Sequence, residues 1–194
     1  MSITFIHNFN RPSTSIPYLY ETPLWTGILA NVVAEFDAFA TSGRGTRSRT
    51  VSSDGLTCTT TNVYNDMSAL SDFMTIKSIW FDNAFVAFGN ISTYTFTTSN
   101  TFVAPFTETV VYNFPTENTA LQSELMEYLN SIVGGVLAAP TTVSNTASSI
   151  TAVYNFSGSE EYDEKHGDRS SLINSLLPEL VAIGVTRTRV FANA

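Results

Sequence analysis

The sequence predicts an α+β fold laid down twice, each half running strand, helix, strand, strand, helix, strand. Three observations predict it. Segments with a period of two and segments with a helical period follow one another in the same order in both halves of the 194 residues. One local spelling closes four predicted strands: Ile6-His7-Asn8-Phe9, Val63-Tyr64-Asn65-Asp66, Val111-Tyr112-Asn113-Phe114 and Val153-Tyr154-Asn155-Phe156. Thr50-Val51-Ser52 and Thr142-Val143-Ser144 then occupy matching places in the two halves. A β-branched residue beside an aromatic ring favours a sheet, and Asn can bond its own backbone where the chain turns away.

The first strand spans Ile3 to Phe9, with Ile3, Phe5 and His7 on one side and Thr4, Ile6 and Asn8 on the other. Pro12, Ser13, Ser15 and Pro17 make a connector. Thr22 caps a helix over about residues 23–40, with Pro23 at its first position and Trp25, Ile28, Leu29, Val32, Phe36 and Phe39 on its apolar face. Gly43 and Gly45 end it. Arg47 to Ser53 and Leu56 to Tyr64 read as a hairpin around Asp54-Gly55, a pair suited to positive backbone dihedrals. Residues 67–78 read as a connector with room for a short helix. The second helix is expected over Ile79 to Phe88, stopped by Gly89-Asn90, and the last strand over Ile91 to Thr98.

The second half repeats the plan. Thr107 to Phe114 is a strand, and Pro115 to Asn118 open a helix with Leu121, Leu125, Tyr128, Leu129, Ile132 and Val136 inward, which Pro140 closes. Thr141 to Ser144 and Ser149 to Phe156 form a strand pair, followed by a loop from Ser157 to Asp168. Asp168 caps a helix burying Leu172, Ile173, Leu176, Leu177 and Leu180, shortened or kinked by Pro178 and ended by Gly184. Val185 to Ala192 is the final strand.

This order in each half is the ferredoxin-like βαββαβ plan, two helices on one face of a four-stranded antiparallel sheet. The division expected is residues 1–98, a linker over 99–106, and residues 107–194. The opposite sheet faces are expected to carry large residues needing cover, so the halves would stack face to face or join at their edges. The arrangement is similar to the dimeric α+β barrels, fused here in one chain; that resemblance implies a fold and no activity.

Composition narrows the function. Nine Lys and Arg face seventeen Asp and Glu, a net charge of −8, so nucleic acid and anionic lipid are not expected partners. Only two residues are Lys, whereas Ser and Thr fill 49 positions, a surface polar through hydroxyls that suits sheet faces and subunit contacts. Cys58 is the sole cysteine, so no intrachain disulfide forms, and its Thr neighbours make it a buried thiol rather than a nucleophile. No signal-peptide pattern opens the sequence and no apolar run reaches the length of a membrane span, so a cytoplasmic or intracellular protein is expected and the sequons at Asn90 and Asn155 stay idle.

Reactive clusters are scarce. His7 and His166 are the only histidines, and the acidic run Glu160, Glu161, Asp163, Glu164, His166 and Asp168 lacks calcium-loop spacing, so it reads as a solvated loop; no metal and no cofactor are expected. No Ser-His-Asp or Cys-His arrangement is present. Arg47 and Arg49 lie together, as do Arg187 and Arg189, where they guard sheet edges, bridge to a partner or hold an anion. The leading expectation is a noncatalytic structural or interaction component that assembles with itself or another protein, a virion being one such assembly. One alternative is a cofactor-independent oxygenase or isomerase acting on a hydrophobic small molecule near His7, Tyr64, Tyr112 and Tyr154. Another is a protein that binds an anionic metabolite.

Overall fold

The computed structural model describes residues 2–23, 30–76, 83, 95–102, 105–131, 140–163 and 173–194. Its first half contains β1 (Ile3–Asn10), α1 (Ala30–Thr41), β2 (Gly45–Val51), β3 (Thr57–Tyr64), α2 (Met67–Ile76) and β4 (Thr95–Asn100). The second contains β5 (Phe106–Asn113), α3 (Thr119–Ser131), β6 (Pro140–Asn145), β7 (Ser149–Phe156), α4 (Leu177–Ala182) and β8 (Thr186–Asn193), with a helical turn at 159–163. The strands form two four-stranded antiparallel sheets ordered β2-β3-β1-β4 and β6-β7-β5-β8. The same order in both is the ferredoxin-like topology, duplicated.

Local chemistry explains the turns. Asp54 accepts hydrogen bonds from the Ser52 hydroxyl at 2.6 Å and the Leu56 amide at 3.0 Å, while Gly55 takes φ +72°. Gly184, at φ +77°, ends α4: its amide bonds the Val181 carbonyl and the Val185 amide bonds that of Leu180, satisfying carbonyls that the helix leaves orphaned. Pro178 sits in the first turn of α4, where its missing N–H costs nothing. At Gly45, a Cβ would lie 2.2 Å from the Val63 carbonyl oxygen, so β2 can approach β3 there only without a side chain.

Several expectations are corrected. The connector expected over 67–78, with room for a short helix, is a full helix from Met67 to Ile76 that buries Ala69, Leu70, Phe73 and Met74; residues 77 and 78 lie outside the described residues. Asp66, at the end of the spelling that closes β3, caps the helix, its Oδ1 accepting from the Ala69 amide at 2.8 Å. The helix expected over 79–88 lies outside the described residues except for Asn83. The stretch from Ser157 is helical at 159–163, where Glu161 accepts from both the amide and the hydroxyl of Ser157 at 2.6 Å. Pro140 begins β6 rather than closing a helix; the end expected for the preceding helix, and the cap expected at Asp168, fall outside the described residues.

The sheet faces also differ from expectation. One face of each sheet is buried: Ile3, Phe5, Cys58 and Tyr64 in the first, and Phe106, Val110, Tyr112, Ile150, Tyr154, Phe156 and Phe191 in the second. The other faces carry few large residues. In the first sheet this face is Thr4, Ile6, Asn8 and Asn10 on β1, Thr57, Thr59, Thr61 and Val63 on β3, and Thr46, Ser48 and Thr50 on β2. In the second it is Thr107, Thr109, Val111 and Asn113 on β5, Ser149, Thr151, Val153 and Asn155 on β7, and Thr186, Thr188, Val190 and Ala192 on β8. These side chains are half-buried or exposed, as expected of a sheet face open to water. Thr59 and Thr57 donate across the strands to Asn8 and Asn10 at 2.8 Å.

The halves are joined by exchange of helices at strand edges. The outer edge of β8 lies against α2 of the first half: the Phe191 amide donates to Ser71 Oγ at 2.8 Å, and the Arg189 amide to Thr75 Oγ1 at 3.2 Å. Reciprocally, Asn100 on β4 donates to Asp163 Oδ1 in the helical turn of the second half at 2.6 Å. Edge groups that would otherwise invite another strand are thereby covered. Between them lies one aromatic core, in which Phe102 stacks on Phe106 at 4.0 Å and meets Phe5 edge-on at 5.5 Å and Tyr162 at 5.0 Å. Among the described residues no helix is long and apolar enough to cross a membrane.

Candidate functional site

The buried faces carry two polar constellations. The first lies where the halves meet. Arg189 on β8 and Glu108 on β5 are 4% and 0% exposed, and Arg189 Nε donates to Glu108 Oε1 at 2.6 Å. The same guanidinium donates through Nη2 to the Tyr162 hydroxyl at 2.8 Å and reaches Met74 Sδ on α2 at 3.5 Å. Strand, strand, helical turn and the other half's helix thus converge on one cation, placed by the inward alternation of β5 and β8. The local signal for a buried Glu108 is the period-two pattern of Phe106, Glu108, Val110 and Tyr112, which puts a carboxylate among core residues.

The second constellation lies on the helix-covered face of the first sheet. Its cross-strand rows run Gly45, Tyr64, Ile3, then Arg47, Asn62, Phe5, then Arg49, Thr60, His7. Asn62 and Thr60 are buried, Arg47 and His7 half-buried, and Arg49 exposed. Burial, then the like charge of Arg49, push the Arg47 pKa down. Burial drives the Tyr64 phenol upward, against a smaller pull from Arg47. Arg49 stacks over the Tyr20 ring at 3.9 Å, and burial together with Cys58 pushes the Tyr20 pKa up to about 12. His7 stacks with Phe5 at 5.9 Å.

The structure divides the residues proposed for a small-molecule site. His7 and Tyr64 lie on one sheet, four ladder positions apart, and Tyr112 and Tyr154 hold the corresponding positions on the other. Tyr112 shares a row with Ile150 and Arg187, and Tyr154 a row with Glu108 and Phe191. The arginines divide as well. Arg189 turns into the core, whereas Arg47 and Arg49 line the first sheet's covered face and Arg187 sits half-buried. Sequence reading passed over Arg11, which clamps the connector: it donates to the carbonyls of Gly55 at 2.8 Å and Ile16 at 2.7 Å and lies over the Tyr18 ring at 4.0 Å. Among the described residues, no three His, Cys, Asp or Glu side chains gather as a metal site.

No family model and no curated protein matches the chain. A solved structure titled "Crystal structure of Putative Chlorite dismutase TA0507" aligns with 97% of this chain and 94% of its own, at 10% identity and a TM-score of 0.27, an overlap that assigns no activity here.

Proposed function

We propose that the protein is a noncatalytic assembly component that associates with further copies of itself through the open faces of its two sheets. One observation carries this reading: among the described residues, neither open face holds a charged side chain, although the chain bears −8 overall. Copies approaching elsewhere repel one another, and these faces are where they can meet without opposed carboxylates. Thr, Val and Ile project flat, stiff, β-branched surfaces that lose little rotamer freedom on contact. Four strands about 4.8 Å apart and about seven residues long make a patch of roughly 450 Å². A pair of such patches buries roughly 900 Å², a weak contact by itself. Two faces per chain give two such contacts and a repetitive assembly, of which a virion shell is one form.

The alternative, a cofactor-independent oxygenase or isomerase acting on a hydrophobic small molecule, would draw on His7 and Tyr64 of one sheet and Tyr112 and Tyr154 of the other. Sedimentation velocity over a wide concentration range tests the assembly reading, with Thr61→Asp on one open face and Thr109→Asp on the other. The wild type should grow with concentration, each single variant should stop at small oligomers, and the double variant should stay monomeric with an unchanged circular dichroism spectrum. A wild type that remains monomeric throughout, or a folded double variant that assembles normally, would refute it.

A further inference from the structure

Beyond assembly, we infer that Asp54-Gly55 is a site of spontaneous isoaspartate formation, and that Ser52, Arg11 and Tyr18 together hold the reaction back in the folded chain. The sequence contains one Asp-Gly step and no Asn-Gly. Aspartate followed by glycine is the pair most open to this reaction, because without a Cβ nothing shields the glycine amide nitrogen from the neighbouring carboxyl. The step lies in the turn between β2 and β3, where Asp54 is exposed.

The chemistry needs no cofactor and no oxidant. The Gly55 nitrogen attacks Asp54 Cγ; the amide proton and the carboxyl hydroxyl leave together as water, and a five-membered succinimide closes. The protonated carboxyl is therefore the reactive form. Water then reopens the ring at either carbonyl. Attack at Cγ restores aspartate, whereas attack at the main-chain carbonyl leaves the chain running through Cβ and Cγ, with one more carbon in the backbone and no net change in mass. Such a carbon falls in the loop that fixes the register of Thr46, Ser48 and Thr50 against β3.

Three features of the turn oppose ring closure. Asp54 Oδ1 accepts from the Ser52 hydroxyl at 2.6 Å and the Leu56 amide at 3.0 Å, and these bonds hold its pKa below the ordinary carboxylate value, so the reactive form is scarce. The Gly55 N–H is committed to the Ser52 carbonyl at 2.9 Å. The Gly55 carbonyl accepts from Arg11 Nε at 2.8 Å and from the Tyr18 hydroxyl at 3.1 Å, both in a connector far back in the chain. Closing the ring turns the peptide plane between Asp54 and Gly55, and with both ends of Gly55 bonded that rotation breaks these contacts. Ring closure therefore waits for a local opening of the hairpin.

Peptide mapping of the full chain aged in mildly acidic buffer, with enzymatic methylation of isoaspartyl groups as a second readout, tests the inference. Isoaspartate at residue 54 should accumulate at least about tenfold more slowly in the folded chain than in the same chain unfolded in guanidinium chloride, the factor of a modest local opening. Tyr18→Phe removes one bond to the turn and should speed the reaction about two- to tenfold with an unchanged circular dichroism spectrum. Ser52→Ala should also speed it, and should move upward the pH at which the rate falls, because the carboxyl then holds its proton to higher pH. The inference fails if residue 54 stays unmodified in the unfolded chain, if folded and unfolded chains isomerise at the same rate, or if either substitution leaves the rate of the folded protein unchanged.

Discussion

Arg189→Met would remove the cation from the junction of the halves and take from the Glu108 carboxylate, 0% exposed, the guanidinium that bonds it at 2.6 Å. The main-chain contacts of Arg189 with Thr75 involve backbone groups and survive, so the substitution isolates the side chain. Charges about 4 Å apart attract by about 4 kcal/mol at an effective dielectric near 20, but both groups surrendered hydration on burial, so the intact pair contributes little net stability. Breaking it is different: taking the oppositely charged partner from a buried ion costs about 3–5 kcal/mol, and Glu108→Gln, which removes the carboxylate charge facing Arg189, should fall in the same range. The double replacement Glu108→Leu with Arg189→Met removes both charges and should lie near or above wild-type stability. Urea unfolding followed by fluorescence and circular dichroism measures all four proteins. Because Arg189 also touches Met74 of the first half, the single variants should unfold with separated transitions for the two halves. Single-variant losses below about 1 kcal/mol, or a double variant as unstable as the sum of the singles, would refute the reasoning.

Two further outcomes test the joining of the halves. Ser71→Ala leaves the buried Phe191 amide without its acceptor and should cost about 1–3 kcal/mol in the same unfolding assay; an unchanged midpoint would show that water or a neighbour replaces the hydroxyl. Burial raises the Asp163 pKa, outweighing its hydrogen bond from Asn100. A raised carboxyl pKa means that the folded state binds the proton more tightly, so its stabilising contribution is full below the unfolded value near 3.9 and disappears as the pH rises through the folded value. The melting temperature of Asp163→Asn relative to wild type should therefore rise from pH 3 toward pH 6. A difference independent of pH would exclude the raised value.

Much of the fold was readable because it rests on local rules. The hairpin at Asp54-Gly55 and the stop at Gly184 follow from positive dihedrals that few other residues accept, and the strands ending in Val-Tyr-Asn follow from period-two alternation. The start of α2 is not fixed locally, because Asn65-Asp66 suits a turn and a helix cap equally; the packing of Leu70 and Phe73 decides between them. The open faces were misjudged for a related reason. Periodicity tells that two faces differ, but only the register shows that Thr57, Thr59 and Thr61 line up with Asn10, Asn8 and Ile6 rather than with core residues. Arginines near strand ends looked alike in sequence, yet Arg189 is the central cation of a buried pair while Arg49, on the edge strand β2, stacks over the Tyr20 ring.

The sequence by itself determined the duplicated βαββαβ order, since alternation, caps and turn residues act over a few positions and are complete in each half. Only tertiary structure decided which strand edges α2 and the 159–163 turn would cover, that Glu108 and Arg189 would meet across 81 residues, and which atoms of Asn62 and Tyr64 would be left unbonded. Those outcomes depend on contacts between segments far apart in the chain, whose energies no local pattern encodes.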